Sequence, residues 1–79
     1  MRYRLIDVGR DRWTGEVEAQ SGAGEHVEVA VMSEAKKHLG SRDVEMIVEY
    51  DKNQLVKRGV ILVGGCRTVG KFKRIKATR

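Results

Sequence analysis

Three short segments of this sequence alternate apolar and polar residues, and this alternation limits the backbone conformation they can adopt. Every second residue is apolar or glycine in Trp13 to Ala19, in His26 to Met32 and in Val44 to Tyr50. Because neighbouring side chains of a β-strand point to opposite faces of the sheet, a period of two is typical of a half-buried strand. The first two segments flank a loop that contains glycine, so we predict that they form a hairpin.

Further strands are predicted on both sides of these segments. Arg2 to Val8 is a short strand candidate that ends at a glycine. Leu55 to Val63 follows a four-residue turn after the third alternating segment and is its predicted partner. Within it, Val60 to Val63 is apolar on both faces, which is typical of a central, buried strand, and Gly59 indicates a bulge. A last short strand is predicted from Thr68 to Ile75.

The alternation is interrupted between Ser33 and Gly40, and a short helix is predicted there. Ser33 can accept a hydrogen bond from a free backbone N–H at the start of the helix. Gly40 can adopt the left-handed conformation that ends many helices. Because so short a helix is unstable alone, Ala35 and Leu39, four residues apart, are expected to dock it on the sheet.

These elements predict one small α+β domain that spans residues 1–79. The expected architecture is a small antiparallel β-sheet of five or six strands, curled into a partly open barrel, with one short helix. A chain of 79 residues buries only about 60% of the surface that its unfolded form exposes, so its core is thin.

The segment from Gly65 to Lys71 matches the glycine and lysine spacing of a phosphate-binding P-loop, G-x-x-x-x-G-K. A P-loop also needs a Ser or Thr hydroxyl for Mg²⁺ and a helix that starts at the phosphates. Phe72 occupies the hydroxyl position, and only eight residues follow the lysine. We therefore interpret the match as a glycine turn between two strands.

Other catalytic chemistry has few candidates in this sequence. Cys66 lies beside Arg67, which favours the thiolate, but no spacing brings His26 or His38 to it as a base. One cysteine and two histidines twelve residues apart do not match a zinc-binding pattern. The sequence therefore predicts no enzyme activity, no cofactor and no metal site.

Charge is distributed unevenly along the chain. Residues 1–51 contain seven Lys/Arg and eleven Asp/Glu, whereas residues 52–79 contain nine Lys/Arg and no acidic residue. The C-terminal segment 66–79 is the most basic part, and Arg2, Arg4, Arg10 and Arg12 add cations near the N terminus. If the first and last strands are neighbours, the two groups merge into one face that can neutralise phosphates.

The predicted function is therefore non-catalytic binding of nucleic acid through its phosphate backbone. Tyr3, Trp13 and Phe72 could stack on bases, but so thin a core favours burying them. The predicted contacts are Arg2, Arg4, Arg67, Lys71, Lys73, Arg74, Lys76 and Arg79. Replacing Lys73 and Arg74 by Glu is expected to abolish binding and leave the fold intact, because the end of the chain contributes little core.

Two further expectations concern partners and location. The alternative function is that of a protein-interaction factor that docks an acidic protein, or a homodimer, through the same charge split and with no nucleic-acid role. The single cysteine rules out an internal disulfide, and no apolar leader precedes the first strand, so a cytoplasmic protein is predicted. No apolar stretch approaches the roughly 20 residues that span a bilayer, which predicts no membrane partner.

Overall fold

Five strands and one helix form the part of the chain that the structure, a computed structural model, describes: residues 1–40, 43–64 and 67–75. The elements in chain order are β1 (Arg2–Val8), β2 (Trp13–Glu18), α1 (Gly24–Ala35), β3 (Val44–Tyr50), β4 (Val56–Val63) and β5 (Arg67–Ile75). All strand pairs are antiparallel, in the order β2-β1-β5-β4-β3. Helix α1 packs against one face of the sheet and leaves the other face open.

The predicted α+β class is confirmed, but the predicted barrel is wrong. The sheet is neither closed nor strongly curled, and β2 and β3 are its two edges. The apolar face takes its large side chains mainly from the three central strands. Because they lie close together in the middle of the sheet, one helix is enough to cover them. Among them Tyr3, Leu5, Ile61 and Phe72 are 0–1% exposed.

The predicted positions of the helix and of the strand from His26 to Met32 are also wrong, and the hairpin predicted between that strand and Trp13 to Ala19 is not formed. Helix α1 occupies Gly24–Ala35, where the strand was expected, and Ser33 lies inside it instead of capping it. Val27 and Val31 are buried, while Val29 between them is 68% exposed. Valines at every second position fit both a strand and a helix, and here the spacing of four that also includes Ala35 is the one that faces the core.

The central strand of the sheet is β5, not β4 as predicted from its apolar residues. β5 pairs with β1 through Arg2 to Ile6 and with β4 through Arg58 to Val63. The first and last strands are therefore neighbours, which the predicted merger of the two basic groups into one face requires. β4 is apolar on both faces because Val60 lies beside Ile47 of β3 on the open face, where both remain accessible to solvent.

Gly59 makes room for a ring and does not form a bulge. It lies opposite Phe72 on β5, and a Cβ built on it would lie 2.6 Å from Phe72 Cζ and collide with the carbonyl oxygen of Ile47. The irregularities of β4 lie on either side, next to Val56 and between Ile61 and Leu62. Within residues 1–40, 43–64 and 67–75, no helix has the length and hydrophobicity needed to cross a bilayer.

Candidate nucleic-acid interface

The open face of the sheet carries three arginine and lysine side chains in one row across its central strands. Arg4 of β1 pairs with Lys73 of β5, and Lys73 pairs with Arg58 of β4. Side chains directly opposite each other in an antiparallel sheet have Cβ atoms about 5 Å apart. Glu16 of β2 and Glu49 of β3 complete the row at its two ends.

The two glutamates hold the arginines of this row in place. Arg58 donates to both carboxylate oxygens of Glu49, from Nε at 2.9 Å and from Nη2 at 3.2 Å. Arg4 Nη2 donates to Glu16 Oε2 at 3.1 Å. These hydrogen bonds lower the pKa values of Glu49 and Glu16 from the ordinary value of a glutamate. Both carboxylates therefore stay ionised and offset the positive charges of Arg58 and Arg4. Arg2 is engaged in the same way with Glu16 and Glu18.

The lysines of β5 have no such partner. Lys71 and Lys73 are exposed, and neither forms an ion pair with a carboxylate in the described part of the chain. Lys71 lies in the next row, between Ile6 of β1 and Val60 of β4. We call Arg4, Arg58, Lys71 and Lys73 the central cation cluster. Its middle, along β5, is the part that carries uncompensated charge.

Arg74 lies on the opposite face of the sheet from this cluster. Its Nη1 donates to Asp51 Oδ2 at 2.9 Å, in the turn between β3 and β4. The N–H of Leu55 is the largest contribution that lowers the pKa of Asp51, followed by the hydrogen bond from Arg74. Arg74 is thus committed to an internal ion pair on the helix side of the sheet.

An open depression of about 1030 Å³ lies at the end of the sheet where β5 begins. It is lined by the turn between β1 and β2, by the segment that follows α1 and by the first part of β5. Arg67 and Lys71 contribute from β5, and Arg10 and Arg12 from the turn. None of these four side chains forms an ion pair with a described carboxylate.

Aromatic side chains do not face the central cation cluster. Tyr3 and Phe72 are buried and meet edge to face, with ring centroids 6.2 Å apart. The Tyr3 hydroxyl donates to the carbonyl of Val56 at 2.7 Å, and burial raises its pKa. Trp13 is half-buried and stacks on His38 with centroids 4.1 Å apart. The preference for core over base stacking is therefore confirmed for Tyr3 and Phe72.

The structure brings together part of the set of contacts predicted from the sequence. Arg2, Arg4, Lys71 and Lys73 share the open face, Arg67 lies at the depression, and Arg74 lies on the other face. Lys76 and Arg79 fall outside the described residues, as does Cys66. Arg58 was missed, although it lies two residues before Val60 and strand alternation places these two side chains on the same face of β4. Arg10 and Arg12 were noted as cations but were not included among the predicted contacts.

Neither the P-loop-like segment nor a metal site finds support in the described part of the fold. Gly70, Lys71 and Phe72 lie within β5, so no helix starts at the lysine of the P-loop-like segment. Within residues 1–40, 43–64 and 67–75, no three His, Cys, Asp or Glu side chains form a group that could hold a metal ion.

Comparisons with known proteins gave no match for this chain among protein-family models, curated proteins or solved structures.

Proposed function

We propose that this protein is a non-catalytic nucleic-acid-binding module that contacts the phosphate backbone through the open face of its sheet. The observation that carries the proposal is the row in which Arg4, Lys73 and Arg58 lie side by side on three adjacent strands. Like charges directly opposite each other destabilise a sheet. Glu16 and Glu49 offset the outer two charges, and an anion bound over β5 offsets the remainder.

A phosphate backbone is the anion that fits this arrangement best. Lys71 and Lys73 follow each other along β5 at a spacing of two residues, which places them about 6.6 Å apart along one strand face. The phosphates of an extended nucleic-acid strand repeat on a similar scale. Because no exposed aromatic ring lies among these cations, the contact neutralises phosphates and carries little base specificity.

The experiment measures the affinity for a fluorescently labelled oligonucleotide over a series of salt concentrations. The logarithm of the binding constant is expected to fall linearly with the logarithm of salt, by about 0.7 to 0.9 for each phosphate neutralised. Removing both charges in Lys71→Gln/Lys73→Gln should reduce the slope by about 1.4 to 1.8.

The matched control is Lys36→Gln/Lys52→Gln. These lysines are also exposed and unpaired among the described residues, and they lie in the segment after α1 and in the turn between β3 and β4. The control removes the same net charge and should keep the slope and nearly all of the affinity. No binding at about 50 mM salt, or equal losses in the two double variants, would overturn the proposal.

The alternative is a role in protein association, and one observation favours it. The edge strand β3 is unpaired on its outer side in the described structure, and it exposes 59% of Ile47 and 49% of Tyr50. Exposed edges can pair with another chain. Light scattering distinguishes the two functions. The association function predicts a dimer that Ile47→Lys dissociates, whereas the nucleic-acid proposal needs only a monomer.

A further inference from the structure

The depression at the end of the sheet combines positive charge with apolar surface. Arg10 and Arg12 reach it from the turn between β1 and β2, and Arg67 reaches it from β5. Asp7 is the one carboxylate among the described residues that line it. The depression therefore has a local excess of positive charge that no described side chain neutralises.

Part of its apolar surface comes from the open face of the sheet. Ile6 and Val60 are half-buried, and they flank Lys71 on the two neighbouring strands. Neither belongs to the buried core or packs against it. Their accessible surface is thus available to a planar apolar group, for which the cations provide a charged border.

The depression is continuous with the central cation cluster. Lys71 belongs to both, because it lines the depression and lies two residues from Lys73 on the same face of β5. A nucleic-acid strand whose phosphates lie along β5 on the open face therefore continues into the depression.

We propose that the depression holds one unpaired nucleotide, with its base against Ile6 and Val60 and its flanking phosphates near Arg10 and Arg12. This inference rests on the proposed function and adds strand preference to it. A base can lay its face against apolar side chains only when it is unstacked and unpaired, as in a single strand. Cations alone would instead favour a duplex, whose charge density is higher.

The first test compares a labelled oligothymidine with the same strand annealed to oligoadenosine. We expect the single strand to bind about fivefold more tightly at equal salt, because its base buries apolar surface of Ile6 and Val60 that a duplex leaves exposed. Equal or tighter binding of the duplex would overturn the inference.

The second test asks whether the apolar surface acts on the single strand alone. Val60→Thr keeps a β-branched side chain, removes apolar surface and should weaken single-strand binding about threefold or more while leaving duplex binding unchanged. Ile47→Thr is the matched control, because Ile47 is the direct partner of Val60 on β3 but does not line the depression. It should leave both affinities unchanged.

The third test concerns the charged border. Arg10→Gln should lower the salt slope for the single strand by about 0.7, the contribution of one phosphate contact. Lys52→Gln, in the turn at the other end of the sheet, should not. If single strand and duplex bind equally and only Lys71→Gln/Lys73→Gln weakens them, the inference falls and the proposed function stands. If neither binds, both fall.

Discussion

Asp51 shows how one carboxylate can fix the conformation of a turn and connect it to the centre of the sheet. Its Oδ1 accepts hydrogen bonds from the N–H groups of Asn53, at 2.8 Å, and Leu55, at 3.1 Å. Its Oδ2 accepts from Arg74 on β5 at 2.9 Å. From the sequence this residue could be assigned only to a turn, because its partner is 23 residues away and no local pattern indicates the pair.

The pH dependence of folding stability follows from these contacts. The hydrogen bond from the Leu55 N–H, and then that from Arg74, lower the pKa of Asp51 from its ordinary value of 3.8. A lowered pKa in the folded state adds stability that is present above the ordinary value and is lost as the pH falls through the folded value. We therefore expect the urea midpoint of the wild type to drop as the pH is lowered past 3.8.

Asp51→Asn tests this assignment. It should have a lower midpoint than the wild type at neutral pH and a shallower decline on acidification. The decline remains because Glu16 and Glu49 also have lowered pKa values. Asp11→Asn, at an exposed turn position without a hydrogen-bond partner among the described residues, should follow the wild-type curve. Parallel curves for Asp51→Asn and the wild type would refute the assignment.

At the scale of elements, the alternation of β5 separates side chains that the sequence presents as one basic run. Phe72 is 1% exposed in the core, Lys73 faces the open side, and Arg74 faces Asp51. The expectation that the end of the chain contributes little core is therefore wrong. The double substitution of Lys73 and Arg74 by Glu does not isolate binding from folding.

The two substitutions should have different effects on stability when they are made separately. Lys73→Glu places a carboxylate between Arg4 and Arg58 and should leave the free energy of unfolding unchanged within about 0.5 kcal/mol, or raise it. Arg74→Glu places a carboxylate against Asp51 and should lower the urea midpoint. Circular dichroism during urea titration measures both. Equal losses of stability would contradict the opposite orientations of these side chains.

Sequence periodicity predicted the bounds of four of the strands better than it predicted their arrangement. β1 and β3 have the expected bounds, and β2 and β4 differ from them by one residue. Their patterns are local, so they survive without knowledge of the fold. The order of the strands depends on pairing between β1 and β5, which lie more than fifty residues apart in the chain. The valines of α1 were wrongly assigned to a strand, because their spacing satisfies both the period of a strand and that of a helix.

On the scale of the whole molecule, the described residues of the basic half of the chain form β4, β5 and the turn before them, and not a tail. β5 lies at the centre of the sheet with β1 on one side and β4 on the other. The charge split predicted a positive region and also its merger with Arg2 and Arg4, but charge counts alone could not show that Glu16 and Glu18 pair with those arginines. The uncompensated positive charge therefore does not extend to Arg2 beside β2. The candidate site does include Arg10 and Arg12, which were not among the predicted contacts.

Because the ligand would lie over three strands of the folded sheet, its binding should stabilise the whole domain. An oligonucleotide at about 100 times its dissociation constant adds roughly 2.7 kcal/mol to the free energy of unfolding. For a domain of this size, that corresponds to a rise in Tm of about 10 to 20 °C. Differential scanning calorimetry at low salt measures the rise, and Lys71→Gln/Lys73→Gln at the same ligand concentration should show a much smaller one. Tight binding without a rise in Tm would mean that the ligand does not recognise the folded sheet.

The pairing of β1 with β5 also determines when the protein can fold during its synthesis. During synthesis β1, β2 and α1 leave the ribosome well before β5, and until then Tyr3 and Leu5 lack the phenylalanine ring that completes their core. Contacts between such distant segments also form slowly. The nascent chain therefore reaches its native state only after the segment through Ile75 has emerged. Until then the hairpins β1–β2 and β3–β4 each have an unpaired edge where β5 will lie, and chaperones can bind these edges.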